Sequence, residues 1–204
     1  MVAMKKIIIL GFLFLFLASQ TWSQEICEAP VWKAGDKWTY KEATGATFTA
    51  EVVDIQQDVF VLKSQAFQNL QALDKKTLNL ESLIGQGGQK ILPKMARKLY
   101  NFPLFVGKNW TESFPFTSAR TPGSINVMCD YRIENIEEVK TPLGTFKTYV
   151  IYLKQGVPAY GKYGWVRYWY SPEVKTWIKR ELEKTDYWIG SRMYDAELIS
   201  YELK

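Results

Sequence analysis

The sequence predicts an all-β protein, mainly antiparallel, whose sheet is strongly curved into a spiral β-roll or half-barrel with one short helix. Glycine- and proline-bearing turns separate short runs in which apolar and polar residues alternate, the pattern of strands. Aromatic residues, 15% of the chain, are concentrated in these runs, as expected for sheets. A single segment, Gln89 to Tyr100, has a pattern compatible with a helix.

The first 23 residues have the features of a secretory signal. Two lysines precede an apolar run, Ile7 to Ala18, which is shorter than a membrane-spanning helix requires. Small residues at Thr21 and Ser23 fit the −3 and −1 positions of a cleavage site. We therefore expect an exported protein, periplasmic or secreted, with residues 24–204 forming a single β-rich domain. An uncleaved membrane anchor is the alternative.

The charge and the cysteines of the mature chain restrict its class. Of 26 basic residues, two lie in the signal, which leaves 24 against 21 acidic residues. A net charge of +3 is not typical of a nucleic-acid binder, so no such partner is expected. Cys27 and Cys129 could form a disulfide in an oxidising compartment, or remain two separate thiols. The residues before Cys27 do not resemble a lipidation motif.

The first half reads as a series of strands. A turn at Gly35-Asp36 precedes a strand with Trp38 and Tyr40 on one face. Thr47 to Ile55 and Val59 to Ser64 form the next hairpin. The run Leu70 to Leu83 has an ambiguous pattern, with strand-like pieces around Lys76 to Leu83.

A flexible loop, Gly85 to Gly88, lies before the helix candidate. It lacks the lysine and the hydroxyl residue of a phosphate-binding loop. The helix candidate carries Lys94, Arg97 and Lys98. These residues form either a solvated face or a surface that meets anionic lipid or polysaccharide.

Two short segments share the pattern G-x-x-W-T. They are Gly35 to Thr39 and Gly107 to Thr111, 72 positions apart, each with a proline a few residues earlier. In each, glycine turns the chain and tryptophan starts a strand with a large apolar anchor. The match suggests an internal duplication into two similar halves, 30–102 and 103–204.

Ser124 to Glu134 is predicted to be a strand with one wet face. Its apolar residues recur with a period of two, and Met128 is an exception on the polar face. The apolar face comprises Ile125, Val127, Cys129, Tyr131 and Ile133.

The stretch from Thr141 to Leu182 predicts the curvature. Its runs Thr145 to Leu153 and Trp165 to Tyr170 place apolar side chains on both faces. Because little of the chain reads as helix, we expect the sheet to curl and shelter both faces. A turn at Ser171 to Lys175 would set Trp169 opposite Trp177.

That register also sets Arg167 opposite Lys179, an unfavourable pair. Two final runs, Asp186 to Met193 and Ala196 to Leu203, complete the predicted strands.

The chain contains no histidine. This excludes Ser-His and Cys-His catalysis and histidine metal sites. No nucleophile elbow and no dinucleotide fingerprint are present, so no cofactor or metal is predicted. Glu173, Glu181 and Glu183 lie near the aromatic strands, and a glycosidase needs only two carboxylates.

The aromatic strands supply the candidate binding residues. These side chains either pack the core or line a concave face that stacks on sugar rings or holds acyl chains. In the second case, Arg167 and Lys179 would meet an anionic group of the ligand. The predicted set is Tyr149, Trp165, Arg167, Tyr168, Trp169, Trp177 and Lys179.

Four segments resemble a known class of proteins: Pro103 to Trp110, Thr141 to Phe146, Tyr168 to Val174, and Glu197 to Tyr201. Together they resemble exported bacterial spiral β-roll proteins of unknown function. The resemblance implies a spiralled antiparallel sheet, distantly similar to the half-barrel of periplasmic lipoprotein carriers. It implies no catalytic residues.

We therefore expect a non-enzymatic exported protein that binds a hydrophobic or glycan ligand, or an envelope partner, in the trough of a curved sheet. Lipid, glycan or another envelope protein are the expected partners. A structural or assembly factor acting through protein contacts is one alternative, and a carboxylate-based hydrolase is the other.

Overall fold

The chain folds into one twelve-stranded antiparallel sheet in a computed structural model that describes residues 24–92, 97–118, 121–183 and 193–204. The all-β prediction is confirmed. A short 3-10 helix, Pro158–Tyr160, is the one helical element in these ranges. The strands are β1 Lys37–Glu42, β2 Thr47–Ile55, β3 Val59–Ser64, β4 Leu70–Asp74, β5 Leu80–Ile84, β6 Lys90–Ile91, β7 Asn109–Ser118, β8 Thr121–Thr141, β9 Gly144–Val157, β10 Lys162–Ser171, β11 Thr176–Leu182 and β12 Ala196–Glu202.

The sheet consists of two six-stranded meanders that meet in its middle. Strands β1 to β6 run outward in sequence order on one side, and β12 back to β7 on the other. The first and last strands join the two meanders through antiparallel pairing from Lys37 with Glu202 to Glu42 with Ala196. Within each meander the strands are joined in sequence order, so the β1–β12 pairing is the long-range step of the fold.

The sheet is rolled, as contacts between strands that are not neighbours show. Tyr40 on β1 stacks on Trp177 of β11 with ring centroids 4.0 Å apart, although β12 lies between these strands. Trp38 donates its indole N–H to the carbonyl of Val174, in the β10–β11 turn, at 2.8 Å. β12 pairs with β11 at just two positions in the described residues, which leaves room for that turn to reach β1.

Two irregular segments run along the concave side, which we define as the side carrying Tyr40, Tyr168 and Trp177. They are residues 24–36 and 97–108, and a two-residue bridge joins them: Cys27 and Leu104 exchange both backbone hydrogen bonds, at 2.9 and 2.7 Å. Because Leu104 is fully buried, these segments fill part of the trough with the protein's own side chains.

The predicted helix at 89–100 does not form in the described part of that segment. Residues 90–91 are strand β6, residues 97–100 are not helical, and residues 93–96 lie outside the described residues. The amide of Lys98 donates to the carboxylate of Glu112 at 2.9 Å, and that of Tyr100 to Asn79 Oδ1 at 3.3 Å. These side-chain acceptors take the place of helical carbonyls while Tyr100 is buried in the trough.

The predicted signal, 1–23, and most of the predicted run from Asp186 to Met193 also lie outside the described residues.

The register predicted for the β10–β11 hairpin is wrong by one position beside the turn, where Tyr170 lies opposite Trp177. A bulge follows Trp169 and adds a second position, so that Trp169 lies opposite Lys179. This register sets Arg167 opposite Glu181 instead of a second cation. It also places the Lys179 ammonium 4.7 Å from the Trp169 ring centroid. Like-charge pairing disfavours the register without the bulge.

The predicted disulfide is not formed: Cys27 and Cys129 are both buried free thiols. Cys27 lies near Tyr149 and Tyr170, whereas Cys129 lies opposite Gln155 on β9. Six residues separate Tyr149 from Gln155, about 20 Å along a strand. A disulfide needs Cα atoms within about 7 Å, so the fold holds the two thiols apart.

The two G-x-x-W-T segments form matching turns. Gly35 and Gly107 have φ of 91° and 87°, and their amides donate to the carbonyls of Val52 and Ile133 at 2.8 and 3.0 Å. The tryptophan of each motif is the second residue of β1 or β7. The division into two similar halves, 30–102 and 103–204, stays a hypothesis that these turns fit.

Candidate functional site: a cavity on the concave side

A cavity of about 510 Å³ lies between β1–β5 and β10–β11 on the concave side. This volume is within the range of small-molecule sites. Most of its wall is apolar. The aromatic and leucine residues of the wall are Trp32, Trp38, Tyr40, Phe48, Phe67, Tyr100, Tyr168, Trp177, Leu62, Leu73, Leu78, Leu80 and Leu99.

Stacked rings form one wall of the cavity. Tyr40 lies between Phe48 and Trp177, at centroid distances of 5.0 and 4.0 Å, and Tyr168 meets Trp177 edge-on at 6.1 Å. The Tyr40 hydroxyl donates to the backbone carbonyl of Trp177 at 3.1 Å. Burial raises the pKa of Tyr40, so this wall is uncharged at neutral pH.

Arg180 brings a positive charge to the cavity from β11. Arg180 lies on the cavity side of β11 because it pairs with Tyr168 of β10, and both side chains line the cavity. Its Nε and Nη2 donate to the Tyr194 carbonyl at 2.9 and 2.7 Å. The carboxylate of Glu42, the one acidic group among the described lining residues, lies 3.6 Å from Nη2.

Gln71 is a second polar group in the wall, on the opposite side of the trough. It lies on β4 and is 8% exposed. Its side-chain amide has no hydrogen-bond partner among the residues that the structure describes. Buried amides are normally hydrogen-bonded, so this group is available to a ligand.

The segment 97–108 closes the cavity on one side. Asn79 accepts from the Tyr100 amide and donates its own amide to the Tyr100 carbonyl at 2.8 Å, which fixes this segment to the turn before β5. Arg97 lines the cavity and contacts Met193, whose sulfur lies 3.1 Å from its guanidinium. The trough is therefore partly filled, and the cavity is what remains.

A second, more open hollow of about 590 Å³ lies beside the first. Glu28, Lys75 and Lys76 charge its rim, and its floor includes Phe60 and Trp32. Trp32 also lines the first cavity. Because its indole N–H donates to the Lys175 carbonyl at 3.0 Å, this ring is a fixed partition between the two.

The seven predicted binding residues divide between the two faces of the sheet. Tyr168 and Trp177 line the cavity. Tyr149 is buried on the same side but lies under the N-terminal segment, with its hydroxyl 3.4 Å from Glu25. The remaining four point to the outer face: Trp165, Arg167, Trp169 and Lys179.

Ion pairs and cation–π contacts cover the aromatic rings of the outer face. Glu134 accepts from Arg167 at 2.7 Å and from Arg132 at 2.6 Å. The two guanidinium carbons lie 5.4 and 4.3 Å from the ring centroid of Tyr152. Burial raises the pKa of Glu134, but the hydrogen bonds from both arginines outweigh it and leave the pKa below its usual value. Glu134 therefore stays ionised, and this network is internally paired.

Sequence reasoning missed the half of the cavity that comes from β1–β5. The alternation that placed Trp38 and Tyr40 on one face also places Glu42 there, but no local signal sets this face against β11. Arg180 was not selected, although both the predicted and the observed hairpin register place it on the face of Tyr168. Gln71 lies in a run that read ambiguously.

Within the described ranges, no group of three or more acidic or cysteine residues could hold a metal ion. No helix there is long and apolar enough to cross a membrane.

No protein-family model and no curated protein matches this sequence. Four solved chains are similar to it, and three of them are described here. One is the hypothetical lipoprotein YmcC of Escherichia coli K12, with 11% identity, a TM-score of 0.48, and coverage of 85% of this chain and 89% of that one. A "putative lipoprotein" of Parabacteroides distasonis has 13% identity and a TM-score of 0.43, with 88% and 100% covered.

The third is a "putative exported protein" with a YmcC-like fold from Bacteroides fragilis, with 10% identity, a TM-score of 0.38, and 86% and 99% covered. These names are of the kind that the sequence resemblance indicated: exported or lipoprotein-type proteins without a stated activity.

Proposed function

We propose that this protein is exported and binds a hydrophobic small molecule in the cavity between β1–β5 and β10–β11. The observation that carries the proposal is a wall of stacked rings and leucines around about 510 Å³. Binding sites for small molecules combine such a wall with a few polar groups, here Arg180, Glu42 and Gln71. The signal-like residues 1–23 support export.

A binding role fits these groups better than hydrolysis. A glycosidase needs two carboxylates about 5 to 10 Å apart. Among the described residues, the cavity is lined by one carboxylate, Glu42, and the second hollow by one, Glu28. The hydrophobic wall also favours an apolar ligand over a glycan, which needs many hydrogen bonds to its hydroxyls.

A saturation experiment with a neutral apolar dye tests the proposal. N-phenyl-1-naphthylamine should bind the purified mature protein at one saturable site, and tetradecanol should displace it. Ala50 lines the cavity from β2, so the larger side chain of Ala50→Trp should fill the cavity. The affinity for the dye should fall at least about tenfold, because the dye loses the burial of its apolar surface.

The matched control places the same side chain elsewhere. Ala159 is exposed on the 3-10 helix, so Ala159→Trp should bind the dye like the unmodified protein. Circular dichroism checks that both variants are folded. An absence of saturable binding, or equal binding by Ala50→Trp, would contradict the proposal.

A further inference from the structure

The cavity is not uniformly apolar, and its charged group distinguishes between classes of hydrophobic ligand. Arg180 lines the cavity with a side chain that is 11% exposed. An arginine on a concave strand could instead have turned toward solvent. Its two hydrogen bonds to the Tyr194 carbonyl hold the guanidinium in place.

The charge of Arg180 is incompletely compensated. A charge-assisted hydrogen bond between a guanidinium and a carboxylate is about 2.7 to 2.9 Å long, whereas the distance from Arg180 to Glu42 is 3.6 Å. The two shorter contacts go to a neutral carbonyl. Because a buried charge is costly unless it is paired at close range, an additional anion beside Arg180 is favourable.

Gln71 is the second observation that points to a polar ligand group. Gln71 as a whole residue is 8% exposed, lines the same cavity, and makes no side-chain hydrogen bond in the described part of the chain. A plain hydrocarbon would leave this amide without a hydrogen bond, at a cost of about 1 to 3 kcal/mol. The cavity is therefore suited to a ligand that has both a chain and polar atoms.

The sign of the lining charges favours an acid over a base. Arg180 is the cation that lines the cavity from β11, and its side chain is 11% exposed. A cationic head group would meet this guanidinium in a poorly hydrated space, where like charges repel more strongly than in water.

We propose that the ligand is an anionic amphiphile: a hydrocarbon chain that lies along Tyr40, Trp177 and Leu62, with an acidic head group paired with Arg180. This inference rests on the proposed function and specifies its ligand. Arg180 selects the charge of the head group. The wall of aromatic rings binds the hydrocarbon chain whatever head group the ligand carries.

Isothermal titration with three ligands of the same chain length tests the inference: tetradecanoate, tetradecanol and tetradecyltrimethylammonium, each below its micelle concentration and at pH 8. Tetradecanoate should bind about tenfold to a hundredfold more tightly than tetradecanol, the range that a hydrogen bond to a charged group provides. The ammonium compound should bind most weakly.

Variants of Arg180 assign the preference to that residue. Arg180→Gln should bind tetradecanoate and tetradecanol within about threefold of each other, without losing tetradecanol affinity. Arg180→Lys keeps the charge and should retain a preference for the acid, which separates charge from any loss of the Tyr194 contact. Arg132→Gln, on the outer face, should behave like the unmodified protein.

The outcomes separate the two proposals. If tetradecanol and tetradecanoate bind equally, if the ammonium compound binds best, or if Arg180→Gln keeps the full preference, the head-group inference is overturned while a hydrophobic site remains. If none of the three ligands binds, the proposed function fails as well.

Discussion

At the scale of single residues, Asp36 joins three distant parts of the chain. This carboxylate is fully buried and accepts from the amides of Lys33 and Lys204 at 2.9 and 2.8 Å. It also pairs with the Lys175 ammonium at 3.2 Å. The residue thus connects the N-terminal segment, the β10–β11 turn and the C-terminus.

Asp36→Ala should be strongly destabilising. It leaves the partly buried charge of Lys175 and two amides without their acceptor, and breaking a buried ion pair costs about 3 to 5 kcal/mol. Urea unfolding followed by circular dichroism measures the change in the free energy of unfolding. Lys37→Ala is the control, because its 4.0 Å pair with Glu51 is exposed and should contribute at most about 1 kcal/mol. Equal effects of the two variants would contradict this role.

At the scale of elements, the two glycine turns explain how each meander begins. A φ near +90° at Gly35 and Gly107 lies in the region that residues with a Cβ rarely adopt. A Cβ on Gly107 would meet no atom within 4 Å, so substitution there tests the backbone conformation without a steric clash.

Gly107→Ala should lower the free energy of unfolding by about 1 to 2 kcal/mol, the cost of a left-handed conformation for an L-residue. Gly107→Asn should cost less, because asparagine tolerates this region better than alanine. Urea unfolding of the two variants gives the comparison. A smaller loss for alanine than for asparagine would show that the turn does not depend on its backbone conformation.

The outer face of β8–β11 shows where the reasoning from sequence succeeded and where it failed. The alternation placed Val166, Tyr168 and Tyr170 on one face and Trp165 and Trp169 on the other, as observed. The curl was expected to shelter both faces.

Instead, long cationic side chains and paired carboxylates cover the outer rings. Arg167 lies over Trp165 at 5.0 Å, and the Trp169 indole donates to Glu137 at 2.6 Å. Charged side chains with long apolar stems can cover rings in this way, so a strand with aromatic residues on both sides does not require a trough on both sides.

At the scale of the whole molecule, local patterns predicted the strands but not the pairing that closes the fold. The period of two in Ser124 to Glu134 depends on nearby residues alone. The junction of β1 with β12 and the passage of segment 97–108 through the trough depend on contacts between residues far apart in sequence. The cavity arises from these long-range steps, which is why Gln71 and Arg180 could not be selected from the sequence.

The rolled sheet also sets the response of the whole molecule to alkali. Burial raises the pKa of six tyrosines above the ordinary value of about 10: Tyr40, Tyr100, Tyr131, Tyr149, Tyr168 and Tyr170. It also raises the pKa of Cys27 to about 11 and that of Cys129 to about 12. Each group therefore holds its proton more tightly in the folded state than in the unfolded state.

When the folded pKa is the higher one, the stability from these groups is fully present below the unfolded pKa and is lost as the pH rises through the folded value. The melting temperature should therefore be nearly constant from pH 6 to 8, where a chain without histidine has few titrating groups. The melting temperature should fall steeply above about pH 9 to 10.

Absorbance of tyrosinate near 295 nm should rise in two steps, the exposed tyrosines first and the buried ones together with unfolding. In urea, all twelve tyrosines should titrate in one step near pH 10. A single step near pH 10 in the folded protein, with an unchanged melting temperature, would mean that these tyrosines are accessible to solvent and that the trough is not packed as described.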